Sequence, residues 1–173
     1  MASLAGSPYN FDSQMTKGDR GAEDVIAYLS IQHEWIPATK DEQKKGIDGI
    51  AICRKTGRKW AVEIKTDWVA KETGNVFIET VSVDAEGILG WAYTSLAQVL
   101  CYYIPQASTM YVVSMARVKA RVCEWAKLYP HRPIPNNGRH GGYNTEGLLV
   151  PLEIFIEQCH ATRRELQTSL DES

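Results

Sequence analysis

Two carboxylates and a lysine lie at a spacing that suits metal-assisted chemistry on a phosphate. Asp48 precedes an apolar stretch, and Glu63 and Lys65 lie two residues apart in the next one. Hard cations such as Mg²⁺ prefer oxygen ligands and usually take only one or two protein carboxylates. The backbone carbonyl of Ile64 could add a third ligand. A metal-bound water attacks a phosphodiester readily, and Lys65 could orient that water, help to deprotonate it or hold the phosphate.

A β-hairpin is predicted to position these residues. Segments 46–52 and 60–65 are rich in Ile, Val, Ala and Trp, and the connecting Lys55-Thr56-Gly57-Arg58 is typical of a turn. Side chains alternate along a strand, so Glu63 and Lys65 share one face while their neighbours point into a core.

The register of the hairpin decides whether the carboxylates meet. If Arg54 pairs with Lys59 around the turn, Asp48 lies opposite Lys65 and diagonal to Glu63, within reach of one metal ion. A slip of one residue would send the second strand's set to the opposite face. A surface hairpin with an ordinary salt bridge would carry the same residue types.

The surrounding elements are predicted from periodicity and turn signals. A helix is expected over 18–29, where Asp19 could cap its start. A third strand is expected over 75–83, a second helix from Thr94 or Ser95 to Ile104, and a fourth strand over 109–115. The predicted order is helix, three strands, helix, strand.

With this order, the chain resembles the PD-(D/E)XK nuclease superfamily over about residues 16–115. Asp48, Glu63 and Lys65 match the family motif, and Glu23 matches an acidic residue that many members have on the first helix. The resemblance implies an α/β, restriction-endonuclease-like αβββαβ core, with a mixed central sheet flanked by helices and with C-terminal helical additions.

The likeness is greatest to small phage or prophage nucleases, because Gly74–Glu79 and Gly90–Ser95 resemble segments found there. Ile47 stands where the motif name has proline, a departure that many members share. The resemblance implies a Mg²⁺-dependent endodeoxyribonuclease, with Mn²⁺ as a substitute, that leaves a 5′-phosphate. Double-strand cutting by so small a chain would favour a homodimer or two successive nicks. The alternative is an inactive nuclease fold that serves as a DNA-binding or assembly module.

Other polar residues have two readings each. Glu23 would assist catalysis or bind metal; otherwise it is a solvated acid at the start of a helix. Glu79 would face the site or form a buried salt bridge. Gln98, on the second helix, would contact the lysine or a phosphate, or be a half-buried polar residue. Asp67 is expected to pair with Lys71.

Composition suits one domain. The chain has 173 residues, 44% of them hydrophobic, enough for a core. We expect a flexible segment over 1–15, a single domain over 16–166 and a polar tail over 167–173. No signal-peptide or membrane-spanning pattern is found, so we expect a cytoplasmic protein of a bacterium or a phage-infected cell. The cysteines are widely spaced and are predicted to be reduced packing residues, namely Cys53, Cys101, Cys123 and Cys159.

The charge is uneven. A formal charge of −2 and a pI near 6.1 argue modestly against a nucleic-acid binder. Residues 40–71, however, include nine Lys or Arg against five Asp or Glu, a patch that could hold phosphates. A solvated face is the alternative. The candidate DNA contacts are Lys44, Lys45, Gln98, Arg132 and Arg139.

Beyond residue 115, weaker signals predict an amphipathic helix over 117–128 and a long Pro/Gly/Asn loop over 129–142. Such a loop could contact nucleic acid or simply connect elements. A strand over 147–152 and a closing helix over 153–166 follow. The inward residues of the first helix are expected to be Val118, Val122, Trp125 and Ala126.

Overall fold

Two β-sheets and six helices make up the part of the chain that the computed structural model describes, residues 11–138 and 141–166, with side chains for 19–136 and 142–166. The helices are α1 (Phe11–Ser30), α2 (Lys40–Gln43), α3 (Ala70–Thr73), α4 (Trp91–Thr94), α5 (Met115–Leu128) and α6 (Leu152–Cys159). The strands are β1 (His33–Pro37), β2 (Gly49–Cys53), β3 (Lys59–Thr66), β4 (Asn75–Val83), β5 (Ile88–Leu89), β6 (Val99–Ile104), β7 (Thr109–Ser114), β8 (His131–Gly138), β9 (Gly141–Pro151) and β10 (Thr162–Glu165).

The first sheet is mixed and has six strands, in the order β1-β2-β3-β6-β7-β10. Strands β1, β2 and β3 form an antiparallel meander, and β6 then lies parallel to β3. The chain between β3 and β6 leaves this sheet and contributes β4 and β5 to a second, antiparallel sheet, in the order β5-β4-β9-β8. The α/β class with a mixed sheet is therefore confirmed.

The first sheet buries apolar side chains on both faces. On one face, α1 packs through Val25 against Val62 and Ile64 of β3. On the other face, a larger core joins β6 and β7 to the second sheet, α5 and α6. Because each fully buried large apolar side chain contributes about 1.5–3 kcal/mol, both faces of β3 are held firmly. Strand β3 contains Glu63 and Lys65, so its packing on both faces fixes their backbone positions.

The predicted second helix over 94–104 is wrong. The structure has a single helical turn at α4 and then the strand β6. Residues 100–104 are each at most 2% exposed, because β6 lies centrally between two cores. Parallel strands buried on both faces read as continuous apolar runs, and periodicity alone cannot separate such a run from a buried helix.

The strand predicted to follow the hairpin in the same sheet is not found there. The strand predicted over 75–83 exists as β4, but it belongs to the second sheet. The meander instead begins with β1, which the sequence did not predict. Strand β1 is a five-residue edge strand with a proline at its end, and such a short segment gives little periodic signal.

The predicted loop over 129–142 forms most of a β-hairpin. Strand β8 pairs with the start of β9, from His131 opposite Leu148 to Gly138 opposite Gly141. Strand β8 is an edge strand, where proline is tolerated, and its prolines occupy alternate positions. Arg139 and His140 lie outside the described residues.

The C-terminal helices agree in part. Helix α5 is confirmed, with Val118, Val122 and Trp125 buried and Ala126 half-buried. The predicted closing helix over 153–166 is wrong in length. Helix α6 ends at Cys159, where His160 has a positive φ of 49°, and β10 then pairs with β7.

The predicted terminal segments have different outcomes. Helix α1 begins at Phe11, inside the segment 1–15 that was expected to be flexible. The predicted polar tail, 167–173, lies outside the described residues. Within the described part of the chain, no helix has the length and apolar character that crossing a membrane requires.

Candidate active site

The β2–β3 hairpin brings Asp48, the residue just before β2, beside Glu63 of β3. Gly49 pairs with Val62, and the amide of Asp48 donates to the carbonyl oxygen of Val62 at 2.8 Å. The register differs by two residues from the predicted one, since Lys59 pairs with Ile52. Because the shift is an even number of residues, the side chains of β3 keep the face that was predicted for them. Asp48 remains near enough for its negative charge to raise the pKa of Glu63.

Glu63 is the centre of the cluster. Its side chain is buried, and its Oε1 lies 2.7 Å from Nζ of Lys65. Its Oε2 lies 2.9 Å from the Ser95 hydroxyl. The Lys65 side chain keeps 36% of its surface exposed, so the ion pair opens to solvent on the lysine side.

Asp48 is fixed by the backbone of the neighbouring strand. Its Oδ2 accepts a hydrogen bond from the amide of Ile64 at 2.7 Å. The Ile64 side chain points the other way, into the core beside α1. In the structure, the backbone amide of Ile64 therefore orients Asp48. The role of the Ile64 carbonyl as a metal ligand stays a prediction.

Glu79 of β4 completes the charged group. Burial raises the pKa of Glu79 above its usual value, and the positive charge of Lys65 opposes that shift. Burial alone would lower the pKa of Lys65, but Glu63, Glu79 and Asp48 together raise it. Lys65 thus forms an ion pair with Glu63, and the negative charges of Glu79 and Asp48 act on it as well.

Like charges also act on Glu63. Burial raises its pKa, and the negative charge of Asp48 adds to the effect, while Lys65 and Ser95 oppose it. Two carboxylates that repel one another in a partly desolvated position form a site that favours a cation.

A tight turn at Gly46 holds the cluster together. Gly46 has a φ of +68°, and a Cβ there would lie 2.5 Å from Oε2 of Glu63. The Ser95 hydroxyl lies 2.8 Å from the carbonyl oxygen of Gly46, and the amide of Leu96 donates to the carbonyl of Lys45 at 2.7 Å. The ammonium of Lys119 binds the carbonyl of Ser95 from outside. Segments 45–46 and 95–96 therefore clamp Glu63 from two sides.

Some predicted residues do not join this cluster. Glu23 is exposed on α1, which packs against the other face of β3. Gln98 is not helical, and its side-chain oxygen accepts from the amide of Ala61 at 3.0 Å. Gln98 thus completes the backbone bonding at the start of β6 rather than binding Lys65, and its contact with a phosphate stays a prediction.

The basic candidates lie on the surface. Lys44 and Lys45 are exposed, and Nζ of Lys44 lies 3.5 Å from a carboxylate oxygen of Asp41. Arg132 is exposed on β8, on the second sheet. Arg139 lies outside the described residues. Of these candidates, Lys45 is the one whose backbone is tied to the cluster, through Leu96.

Sequence reasoning missed the role of Ser95, which it considered only as a helix cap, and for Glu79 it left open whether the side chain faces the site or forms a buried salt bridge. A polar residue on an otherwise apolar strand was the available signal for Glu79. The signal for Ser95 is absent from the sequence, because 32 residues separate it from Glu63. The predicted pairing of Asp67 with Lys71 is wrong: Asp67 accepts a hydrogen bond from the Tyr102 hydroxyl, and Lys71 donates to the carbonyl of Gln106.

The donor chemistry of the cluster fits a hard cation. Asp48 and Glu63 supply carboxylate oxygens near one another, and oxygen is the donor that Mg²⁺ and Mn²⁺ prefer. Within the described residues, no group of three or more His, Cys, Asp or Glu side chains is arranged to hold a metal ion. A bound cation would accordingly take two protein carboxylates and fill its other positions with water and substrate oxygens.

Comparison with known proteins leaves this geometry as the guide to function. No protein-family model matches the chain, and searches of curated proteins and of solved structures return no match.

Proposed function

We propose that the protein is a metal-dependent deoxyribonuclease that cleaves phosphodiester bonds internally in DNA. The observation that carries the proposal is the acidic cluster itself: Oδ2 of Asp48 is bonded to the amide of Ile64, the residue after Glu63, and the ammonium of Lys65 lies 2.7 Å from Glu63. Two acidic oxygen donors and an adjacent cation are what hydrolysis at a phosphate needs.

The order of elements supports a relation to the PD-(D/E)XK nucleases. If the four-residue helix α2 is left out and the segment from α3 to β5 is treated as an insertion, the elements run α1, β1, β2, β3, α4, β6, with α4 a single helical turn. That is the helix, three strands, helix, strand order of the family. In addition, β6 is parallel to β3, as a crossover connection requires.

Each side chain has a distinct task in the proposed reaction. A divalent cation, when bound, would acidify a water and neutralise charge on the phosphate. Asp48 and Glu63 would hold it, and the Ile64 amide keeps Asp48 oriented. Because neighbouring carboxylates raise the pKa of Lys65, the lysine stays protonated at neutral pH. It would therefore bind the phosphate or orient the water as a cation, rather than remove a proton.

A second candidate function has one observation in its favour. Both oxygens of Glu63 already have partners, Lys65 on one and Ser95 on the other. A site whose ligands satisfy one another could be structural, and the fold would then serve as a DNA-binding or assembly module without cleavage.

The test is cleavage by the purified protein. Supercoiled plasmid, linear duplex, single-stranded and four-way-junction DNA are incubated with Mg²⁺, Mn²⁺ or EDTA, beside Lys65→Ala and the exposed control Lys127→Ala. We expect metal-dependent cutting of the circular plasmid, with a loss of about 100-fold or more in Lys65→Ala. The Lys127→Ala variant should cut as the wild type does. Equal cutting by wild type and Lys65→Ala, or none by either, would favour the module.

A further inference from the structure

Four large apolar side chains are exposed within one short segment next to the charged cluster. Ile88, Leu89, Tyr93 and Leu96 are 45%, 52%, 42% and 61% exposed, respectively. We call this set the apolar rim. Single exposed apolar residues are ordinary, but several that are contiguous mark a binding surface.

The segment that carries the rim contacts the charged cluster at two points. At Gly90, which follows Ile88 and Leu89, the backbone approaches Glu79 so closely that a Cβ would overlap the Glu79 carbonyl oxygen. At its end, the Ser95 hydroxyl contacts Glu63, and Leu96 is bonded to Lys45. The rim therefore borders the cluster from the Glu79 side to the Glu63 side.

Buried neighbours of the rim residues anchor this segment in the core. Trp91 and Ala92 of α4 are buried in the larger core, which leaves Tyr93 and Leu96 on the outer side. Lys119 of α5 binds the carbonyls of Tyr93 and Ser95. The packing of α4 thus accounts for the exposure of Tyr93.

We propose that the apolar rim binds unpaired bases, so that single-stranded or splayed DNA is the preferred substrate class of the site. This inference rests on the proposed nuclease function. A phosphate backbone would be held by the charges of Lys45 and Lys65, whereas aliphatic and aromatic side chains can gain only from base faces. In a duplex those faces are stacked on one another, and they become available where strands separate.

Cleavage rates test the inference. One sequence is presented as a duplex, as a single strand and as a splayed junction to the wild type, to Tyr93→Ala/Leu96→Ala, and to Leu128→Ala. Leu128 is a matched control, since it is 63% exposed and lies at the far end of α5. We expect the double variant to lose about tenfold on the unpaired substrates and much less on the duplex. Tyr93→Phe, which keeps the aromatic ring, should retain most of the wild-type preference.

A binding measurement separates failure of the rim from failure of the enzyme. Fluorescence anisotropy with Glu63→Gln compares an oligonucleotide with an abasic one of equal length and charge. The rim requires the abasic strand to bind about tenfold more weakly, and it requires this difference to vanish when Tyr93→Ala and Leu96→Ala are added. If the wild type cuts no DNA but shows that difference, the nuclease proposal fails and the rim stands as a base-binding surface.

Other outcomes overturn the rim alone. Equal losses on duplex and unpaired substrates would do so, as would equal binding of the two oligonucleotides. Sedimentation of the wild type and of Tyr93→Ala/Leu96→Ala tests a second copy of the chain as the occupant. A dimer that the double variant dissociates would reassign the surface to self-association.

Discussion

Two buried carboxylates on the same face of the molecule, Glu63 and Asp67, have opposite surroundings. Asp67 accepts hydrogen bonds from the amides of Val69 and Ala70, both at 2.9 Å, and from the Tyr102 hydroxyl. Its described partners are neutral donors. Glu63 is also buried, but its partner is a charged lysine on which other carboxylates act, and the ion pair opens to solvent through that lysine.

If the proposed function is correct, the difference separates a structural carboxylate, Asp67, from a chemical one, Glu63. Neutral hydrogen-bond donors satisfy the carboxylate of Asp67 and fix the turn between β3 and α3. The carboxylate therefore needs no further partner from a substrate. Around Glu63, the charges partly oppose one another, and the arrangement gains if a cation arrives. Burial of an acid alone would not have distinguished the two.

The largest expected effect contrasts amide substitutions of the two acids. Glu63→Gln should lower the rate of DNA cleavage by about 100-fold or more, because it removes a charge that metal binding needs. Asp67→Asn should leave the rate per folded molecule within about twofold and cost about 1–3 kcal/mol of the free energy of unfolding. Cleavage assays with urea unfolding of both variants measure this. Equal losses of activity would remove the distinction between the two acids.

A glycine pair tests how tightly the chemical carboxylate is enclosed. Gly46 and Gly57 both have a φ of +68°, but a Cβ at Gly57 would meet nothing within 4 Å. Gly57→Ala should therefore cost only the backbone strain, about 1–2 kcal/mol. Gly46→Ala adds overlap with Glu63 and Ser95, about 1–3 kcal/mol more. Urea unfolding of the two variants gives the comparison, and equal costs would show that the contact at Gly46 relaxes freely.

Substitution of Tyr102, which donates a hydrogen bond to Asp67, tests the structural role of that carboxylate. Tyr102 is 2% exposed, and its oxygen also accepts the amide of Phe77 at 3.0 Å. Tyr102→Phe leaves that amide and Asp67 each short of a partner, so we expect a loss of about 1–3 kcal/mol in the free energy of unfolding. DNA cleavage per folded molecule should not change. A fall in cleavage larger than the loss of folded protein would link the Asp67 cluster to the chemistry.

The smallest expected effect is a pH dependence of stability at Glu63. Because its pKa is raised in the folded state, the folded protein binds this proton more tightly than the unfolded chain does. Stability therefore falls as pH rises from the ordinary value of 4.5 toward the raised one. Glu63→Gln should lose less stability over that interval than the wild type. Urea unfolding at several pH values checks the sign, and a wild type that gained more than the variant would contradict it.

At alkaline pH, the titration of Lys65 changes the stability of the folded protein. The pKa of Lys65 is raised above 10.5, so its stabilisation is fully present below that pH and is lost as pH rises through the raised value.

The sequence alone determined which residues share a face. Glu63 and Lys65 point the same way because strand side chains alternate with a period of two, and a register shift of two residues left that result intact. Helix α5 was also predictable, since its buried residues recur at helical spacing.

Only the tertiary structure decided the rest. Residues 99–104 form a strand because two cores enclose them, and a run that is apolar throughout has no period to reveal this. The contacts of Glu63 with Ser95, and of Gly90 with Glu79, join segments far apart in the chain. Such contacts depend on how two sheets pack, and local propensity, which acts over a few residues, cannot specify them.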